Sequence, residues 1–289
     1  AGRLAENLKV DLSKVSGTGP GGSIMREDVL KAAREAKSKP IAATTTTTAA
    51  IAEAPRPADQ TVVPLSAMRA TIGERLTRSQ RETAHVTLTR EAEVSSLVAL
   101  VKEEGARSKF GYNDVLIKAA ARALKQHPMM NSQLEGDKVR IAGSVNIGVA
   151  VAVEGGLITP TVRDADRLPL GEVAEMVRQL SEKARNRQLA PQEYTGATFT
   201  VSNLGAYGIE TFTPIINPPQ VGIMGVGRIK ERPWAEDGEL KVRPTVHLSL
   251  TFDHRVVDGA DAALFLDSVV RLIRDLSWIR AQDDRPSVA

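Results

Sequence analysis

The sequence predicts an α/β protein with a mixed sheet, and three observations support this prediction. Some stretches repeat their apolar residues at helical spacing, whereas others are β-branched or alternate in hydropathy as strands do. The two kinds of element do not alternate as a regular βαβ repeat. Apolar residues make up 42% of the chain and aromatic residues only 3%, so the core must consist mainly of Val, Leu, Ile and Ala.

Composition divides the 289 residues into three regions. Residues 1–36 hold two short helical patterns around a glycine-rich loop and predict a small all-α domain. Residues 37–60 contain seven Ala, five Thr and three Pro, and they have too few large apolar side chains to offset the entropy of ordering. We therefore expect a flexible linker there, followed by one continuous domain over residues 61–289.

The small domain is predicted from its apolar spacing. Its second helix carries Glu27 and Asp28 in the first turn, where negative charge is favourable. The loop over residues 17–22 is interpreted as a tight turn rather than a phosphate cradle, because no strand precedes it and no Gly-Lys-Ser/Thr follows it. The helical spacing itself comes from six residues: Leu4, Ala5, Leu8, Val29, Leu30 and Ala33.

In the large domain, apolar faces at helical spacing predict four helices, at residues 71–81, 112–126, 170–186 and 260–276. Alternating or continuously apolar runs predict four strands, at residues 85–90, 145–153, 198–202 and 245–252.

Several classes of function are disfavoured. The chain has no Cys, which excludes disulfides, thiolate metal sites and a cysteine nucleophile, and it fits a reducing compartment. The net charge is +3 with acidic and basic residues interleaved, so we expect no nucleic-acid partner. No apolar run approaches the roughly 20 residues that span a bilayer, so we expect no membrane span. We also expect no metal site, because His85, His127 and His247 form no ligand cluster and are interpreted as structural.

The strongest chemical signal is His254, which follows the predicted strand at 245–252. Asp258 comes four residues later and is followed by Gly259, so the chain can turn back and bring a carboxylate beside the imidazole. A histidine held near a carboxylate is suited to proton transfer, and His254 is therefore the candidate general base.

Ser202 and Asn203 end the predicted strand at 198–202, and strand-to-turn chemistry alone could explain both. With His254, Ser202 suggests acyl chemistry in one of two arrangements. Ser202 could be a nucleophile activated by His254. Alternatively, His254 could deprotonate a substrate thiol while Ser202 donates a hydrogen bond to the oxyanion. The second is favoured because Ser202 follows Thr200-Val201 and forms no Gly-x-Ser-x-Gly elbow.

These motifs together resemble the dihydrolipoamide acyltransferase (E2) components of 2-oxo acid dehydrogenase complexes, whose core is similar to chloramphenicol acetyltransferase. The segment from Asp253 to Gly259 resembles the family's active-site motif, and the segment from Phe199 to Asn203 resembles its oxyanion segment. Residues 1–36 resemble a peripheral subunit-binding domain, and residues 37–60 are similar to the linkers that join such domains. Two further segments are typical of the family, residues 145–151 and 217–220.

The resemblance implies transfer of an acyl group between dihydrolipoamide and coenzyme A. His254 would take the proton of the coenzyme A thiol, Ser202 would meet the oxyanion, and Asp258 would hold the turn through a charge pair. Asn203 would either contact coenzyme A or dihydrolipoamide or only shape its turn. His254 and Ser202 from neighbouring subunits would meet in a homotrimer, and trimers would build a large multimeric core. Residues 1–36 would dock the E1 dehydrogenase and the E3 dihydrolipoamide dehydrogenase.

Two departures from the family pattern bear on these expectations. The family's aspartate pairs with an arginine at the position where this chain has Val101, so Asp258 needs another partner. Docking domains of this family carry arginines at the positions where this chain has Gly2, Glu6 and Ser23. Residues 1–35 of this chain carry a net charge of only +1. We therefore expect weakened recruitment of the partner enzymes.

Acetyl is the favoured acyl group because residues 208–213 look pyruvate-type. Branched acyl groups are the alternative, and succinyl is disfavoured because succinyl-specific members tend to carry Thr where this chain has Ser202. A non-catalytic scaffold that tethers the lipoamide dehydrogenase is the alternative of another class. The lipoyl group is expected on a domain not in this chain, and the location would be the bacterial cytoplasm or the mitochondrial matrix.

Overall fold

The computed structural model describes residues 2–8, 10–38 and 61–279. The chain divides into two compact units, Ala1–Val63 and Pro64–Ala289. The predicted linker, apart from residues 37 and 38 at the end of a helix, lies outside the described residues.

The small unit contains two helices, α1 (Gly2–Leu8) and α2 (Arg26–Ser38). Ala5 and Val29 are buried between them, as the apolar spacing predicts. The glycine-rich loop is fixed by Asp28, whose carboxylate accepts hydrogen bonds from the backbone N–H groups of Thr18 (3.0 Å) and Met25 (2.8 Å) and from the Thr18 hydroxyl (2.8 Å). These bonds hold the pKa of Asp28 below its usual value. The predicted all-α character of this part is confirmed.

The large unit is a seven-stranded mixed sheet with helices packed against it. The chain enters it through a surface helix, the last helix follows the last strand, and the other helices lie between strands along the sequence. A short π-helical turn, Val101–Gly105, follows the second of them. The helices are α3 (Ala67–Glu82), α4 (Ser95–Leu100), α5 (Ala106–Ser108), α6 (Tyr112–Gln126), α7 (Leu170–Arg185) and α8 (Gly259–Arg274).

The seven strands of the main sheet run in the order β1-β11-β9-β8-β4-β7, and β10 pairs with β11. Two separate hairpins form from β2 with β3 and from β5 with β6. The strands are β1 (His85–Glu93), β2 (Ser132–Glu135), β3 (Lys138–Ile141), β4 (Ile147–Val149), β5 (Val151–Val153), β6 (Gly156–Ile158), β7 (Thr161–Val162), β8 (Phe199–Asn203), β9 (Gly222–Val226), β10 (Lys230–Glu236) and β11 (Glu239–Asp253).

Pairing within the main sheet is parallel for β4 with β8 and for β8 with β9, and antiparallel elsewhere. The predicted α/β class with a mixed sheet is therefore confirmed. The predicted strand at 145–153 is wrong in one respect, because it is two strands in different sheets. Ala150 lies between the two strands and donates its backbone N–H to the Val201 carbonyl at 3.0 Å. Strand β4 ends at the residue before it.

The core lies on one face of the sheet. Alternate residues of β11, namely Val246, Leu248, Leu250 and Phe252, are fully buried and pack with apolar residues of α4, α6 and α8. The strand begins earlier than the predicted residue 245, because residues 239–245 form a hairpin with β10. That hairpin extends past the buried core face, and its Leu240 and Val242 side chains are exposed.

The opposite face of the sheet is crossed by the irregular segment at residues 209–217. Gly225 of β9 and Gly227, which lies just after β9, make room for it. A Cβ atom at Gly225 would lie 2.9 Å from the Phe212 ring, and one at Gly227 would overlap the Glu210 carbonyl oxygen. The segment therefore lies directly on the sheet and places Phe212 beside the middle of β9.

Candidate active site

His254 follows the last residue of β11, at one end of the main sheet. Its backbone N–H donates to the Ala84 carbonyl at 2.9 Å, which fixes the turn against the start of β1. Its imidazole Nδ1 lies 3.7 Å from the Asp258 carboxylate, and 44% of the His254 side chain is exposed. The predicted return of Asp258 beside His254 is thus present, and the Nε2 edge has no protein partner within the described part of the chain.

Ser202 lies in β8, one residue before its end. Its strand is held on both sides, by β4 and by β9, so its backbone is fixed. The Ser202 hydroxyl makes no hydrogen bond with any of the residues that the structure describes. It is therefore available as a donor to a bound molecule.

Two cavities meet at Ser202. The larger has a volume of about 930 Å³ and the smaller about 480 Å³, and Ser202 and Ala150 line both. The larger cavity extends beyond the end of β8, where it is lined by Asn203, Tyr207 and Arg228 among others. The smaller lies between α3 and the crossing segment. A molecule could therefore reach the Ser202 hydroxyl from either side.

Ser202 and His254 do not meet within one chain. Ser202 is aligned through Gly225 with Ser249 of β11, and His254 is five residues farther along that strand. At roughly 3.3 Å per residue along the strand and 4.8 Å between strands, the two side chains are about 20 Å apart. His254 lines neither cavity. The two candidate residues thus occupy opposite ends of the same sheet.

Asn203 shapes the turn after β8. Its Oδ1 accepts the Gly205 N–H at 2.8 Å, and its Nδ2 donates to Asn113 Oδ1 at 3.3 Å. Asn203 also lines the larger cavity. Both of its polar atoms are engaged by the protein, which favours the turn-shaping interpretation of this residue.

Asp258 has no arginine partner within the described residues. Its side chain is 82% exposed, and His254 is its ionic contact. Val101 is half-buried and packs against the hydrophobic core. The nearby Arg255 instead donates to the buried Asp253, with contacts of 2.6 to 3.1 Å. Burial opposes ionisation of Asp253, but the Arg255 hydrogen bonds outweigh it and lower the pKa of Asp253.

A buried lysine holds the turn that precedes α7 and was not predicted from the sequence. Lys118 of α6 is fully buried, and its Nζ donates to the carbonyls of Ala165 (3.0 Å), Asp166 (2.9 Å) and Leu168 (2.5 Å). Burial lowers the pKa of Lys118 to about 8, with Asp166 opposing the shift. The sequence feature that could have indicated a buried lysine is a single cation within a run of apolar and alanine residues.

The other histidines have protein contacts in keeping with structural roles. His85 Nε2 accepts the Ile216 N–H at 3.2 Å, and His127 Nε2 lies 2.9 Å from the Ser268 hydroxyl. His247 lies on β11 and its Nδ1 is buried without a partner. Over residues 2–8, 10–38 and 61–279, no cluster of three or more His, Asp or Glu side chains could hold a metal ion. No helix in this part of the chain is long and apolar enough to cross a membrane.

Two family matches cover most of the chain. Residues 57–279 match the 2-oxoacid dehydrogenases acyltransferase (catalytic domain) family. Residues 1–30 match the E3 binding domain family.

Curated relatives extend over almost the whole chain. The acetyltransferase component of the pyruvate dehydrogenase complex of Zymomonas mobilis is 37% identical over 98% of this chain. The succinyltransferase component of the 2-oxoglutarate dehydrogenase complex of Rickettsia bellii is 36% identical over 94%. The chain spans 65% of the length of the first relative and 68% of the second.

Solved structures of similar proteins share the large unit's fold. The dihydrolipoamide acetyltransferase of Azotobacter vinelandii gives a TM-score of 0.74 at 33% identity, covering 77% of this chain and 94% of that one. It belongs to an investigation of a serine, a histidine and an asparagine in that enzyme's catalytic mechanism. The cubic core of the pyruvate dehydrogenase multienzyme complex gives a TM-score of 0.74 at 34% identity, also covering 77% of this chain and 94% of that one.

Proposed function

The chain belongs to the 2-oxoacid dehydrogenase acyltransferase family, and from that membership we propose that it transfers an acyl group between dihydrolipoamide and coenzyme A. The observation that carries the proposal is the spacing of three residues. In the Azotobacter enzyme the serine precedes the histidine by 52 residues and the asparagine follows it by four. Ser202, His254 and Asp258 have the same two spacings.

In the proposed reaction, His254 Nε2 takes the proton from the coenzyme A thiol. A thiol with a pKa near 8.5 is mostly protonated at neutral pH, so a base raises the thiolate population in the site. The sulfur then forms a bond to the thioester carbonyl carbon of the acylated dihydrolipoamide. When the carbon–sulfur bond to dihydrolipoamide breaks, His254 returns the proton to the departing thiolate. The acyl group has then moved from one thiol to the other with no net redox change.

Ser202 stabilises the tetrahedral intermediate. Its hydroxyl donates a hydrogen bond to the oxyanion that forms while both sulfurs are attached to the carbon. The arrangement with Ser202 as a nucleophile is disfavoured, because Ser202 follows Thr200-Val201 and forms no Gly-x-Ser-x-Gly elbow. The two cavities that meet at Ser202 support a reaction in which the two thiols approach from opposite sides.

The distance between Ser202 and His254 also supports a homotrimer. If one copy supplies Ser202 and the next supplies His254, a closed ring of three copies contains three complete sites. The similarity to a protein that forms a cubic core supports assembly of such trimers into a larger particle. The His254 ring fits this arrangement, because it is 44% exposed and its Nε2 has no hydrogen-bond partner in the described part of its own chain.

Asp258 is proposed to orient the His254 ring. A carboxylate near Nδ1 favours the tautomer with the proton on Nδ1 and leaves Nε2 free to accept a proton. The asparagine at this spacing in the Azotobacter enzyme indicates that a hydrogen-bonding group is enough and that a negative charge is dispensable.

Residues 1–36 are proposed to dock partner enzymes. The match of residues 1–30 to the E3 binding domain supports docking of dihydrolipoamide dehydrogenase, and the E1 dehydrogenase would use the same domain. The low charge of residues 1–35 predicts weak recruitment. The lipoyl group would be carried on a domain outside residues 1–289. Bacterial relatives and a mitochondrial one from Schizosaccharomyces pombe support location in the bacterial cytoplasm or the mitochondrial matrix.

Acetyl remains the proposed acyl group. The Zymomonas relative supports it, whereas the Rickettsia relative acts in a succinyl-transferring complex at nearly the same identity. Phe212 beside Ser202 makes the smaller cavity apolar near the hydroxyl, together with Pro214 and Ile223. These apolar residues suit a small neutral acyl group, whereas Arg69 and Arg75, which line the same cavity, would suit a negatively charged one. The choice of acetyl therefore rests on the pyruvate-type segment at residues 208–213.

The test is transfer from an acyl-coenzyme A to free dihydrolipoamide by the whole chain. We expect transfer from acetyl-coenzyme A with a higher kcat/KM than from isobutyryl- or succinyl-coenzyme A. A preference for isobutyryl would assign the branched-chain activity instead. No transfer above the uncatalysed rate from any of the three would reject the proposed function and favour the non-catalytic scaffold.

A further inference from the structure

The wall of the smaller cavity is fixed by side chains from the end of α3 and the start of β1. The wall is the extended segment Ile215-Ile216-Asn217, in which Ile215 and Asn217 line the cavity and Ile216 is 1% exposed. Because neighbouring side chains of an extended segment point to opposite sides, anchoring Ile216 sets the position of both cavity-lining neighbours.

Both backbone polar groups of Ile216 are bonded to side chains. Its carbonyl accepts a hydrogen bond from the Ser79 hydroxyl at 2.7 Å, and its N–H donates to His85 Nε2 at 3.2 Å. His85 Nδ1 lies 3.2 Å from the Thr83 carbonyl, so the neutral ring can donate there and accept at Nε2. Two residues farther along, Arg75 donates to the Pro218 carbonyl at 2.8 Å.

Ser79 is an unusual residue for α3. The helix has 16 residues, and Ser79, at 1% exposure, is the buried residue among them. Ile72 and Leu76 are half-buried and line the smaller cavity rather than a core. Ser79 and Arg75 therefore join the helix to the wall segment by hydrogen bonds, and the width of the cavity depends on these contacts.

The same short stretch of chain also holds His254. Ala84, which precedes His85, accepts the His254 backbone N–H at 2.9 Å, and His85 is paired with Asp253 in the sheet. Residues 79–85 thus contact the cavity wall on one side and the turn that carries the proposed base on the other.

We propose that Ser79 and His85 are positioning residues that set the substrate affinity of the smaller cavity by fixing Ile216. This inference rests on the proposed acyltransferase function. Neither side chain touches substrate in this account, because neither lines a cavity. Loss of the Ser79 hydroxyl leaves a buried carbonyl without a donor, so Ile216 shifts toward another partner and Ile215 and Asn217 shift with it.

The test compares Ser79→Ala, Ser79→Thr and the control Thr77→Ala, which changes an exposed hydroxyl of the same helix. KM is measured separately for acetyl-coenzyme A and for dihydrolipoamide. We expect Ser79→Ala to raise KM about tenfold for one of the two substrates, with kcat within about threefold of wild type. Ser79→Thr restores most of the affinity, and Thr77→Ala matches wild type.

A purely structural role gives a different pattern. If Ser79→Ala lowered kcat with both KM values unchanged, the loss would reflect less folded enzyme and the proposal would be wrong. Unchanged kinetics in Ser79→Ala would overturn it as well. If Ser79→Ala did not fold, His85→Ala would remove the bond on the other side of Ile216 and must raise KM for the same substrate. An inactive wild type would reject the proposed function itself.

Discussion

The two ends of the main sheet differ in how completely each is built by one chain. At the Ser202 end, the strand is paired on both sides and two cavities are formed. At the His254 end, the imidazole is 44% exposed and Asp258 is 82% exposed. One chain therefore provides a substrate site without a base at the Ser202 end of the sheet, and a base without a substrate site at the His254 end.

His254→Ala is expected to have the largest effect on activity. Removing a general base lowers kcat by about 10²–10⁴-fold. The unfolding midpoint stays near that of wild type, because the side chain is largely exposed and lies outside the core. Steady-state acyl transfer and thermal unfolding measure the two properties.

His247→Gln is the matched control for this variant, since it changes a histidine of the same strand that lines neither cavity. The acyl-transfer rate of His247→Gln should remain within about tenfold of the wild-type rate. An equal loss of activity in both variants would contradict the assignment of His254.

Ser202→Ala is expected to lower kcat by about 10²–10³-fold, because the oxyanion loses one preorganised donor. KM should change little, since the hydroxyl bonds the intermediate more strongly than the ground state. Ser249→Ala is the control, because Ser249 is aligned with Ser202 across Gly225 and its hydroxyl lies 3.2 Å from that of Thr89. A wild-type rate for Ser202→Ala would contradict the assignment of Ser202 as the donor to the oxyanion.

Lys118→Met is expected to lower the free energy of unfolding by about 2–3 kcal/mol, because carbonyls that the buried ammonium bonds lose their donor. The pKa of Lys118 is lowered to about 8, so between pH 8 and its unfolded value near 10.5 the unfolded chain binds more protons. Wild-type stability therefore rises with pH in that window relative to the variant. Urea unfolding at pH 7.5 and 9.5 measures both effects.

The control for this variant is Lys125→Met, which removes a half-exposed lysine of the same helix. It should cost less than Lys118→Met, because it removes one ion pair of 3.6 Å with Asp166, whereas Lys118 bonds three carbonyls. Equal destabilisation by both substitutions would show that the three carbonyl contacts of Lys118 contribute little.

Asp258→Asn is expected to have the smallest effect, a change in kcat of less than about fivefold. An exposed ion pair contributes at most about 1 kcal/mol, and the amide oxygen of an asparagine can still accept a hydrogen bond from Nδ1–H. The pH profile of kcat for wild type and variant tests this directly. A loss above a hundredfold would show that the negative charge itself is needed.

The sequence predicted the positions of Ser202 and His254 at their strand ends better than the arrangement between them. The motif around His254 and the strand before Ser202 are local patterns, and the structure places each at the end of a strand, as predicted. The distance between the two depends on the pairing of β8, β9 and β11, which local periodicity does not encode. The trimer prediction came from family resemblance rather than from spacing.

Other features escaped prediction for physical reasons. The switch at Ala150 from one sheet to another occurs inside a continuous β-branched run, so hydropathy gives no boundary. The β10–β11 hairpin has exposed apolar residues and charged neighbours, which obscure its strand pattern. Ser79 and His85 are polar residues whose partner, Ile216, is more than 130 positions away in the sequence.

The most direct test of the account is complementation between Ser202→Ala and His254→Ala, each inactive alone. When the two are co-expressed with different tags and the mixed trimer is purified, every ring that contains both variants has an intact Ser202 facing an intact His254 at about one of its three sites. We predict that the mixed trimer recovers about a third of the wild-type kcat. A mixed oligomer as inactive as either parent would contradict a site shared between two copies.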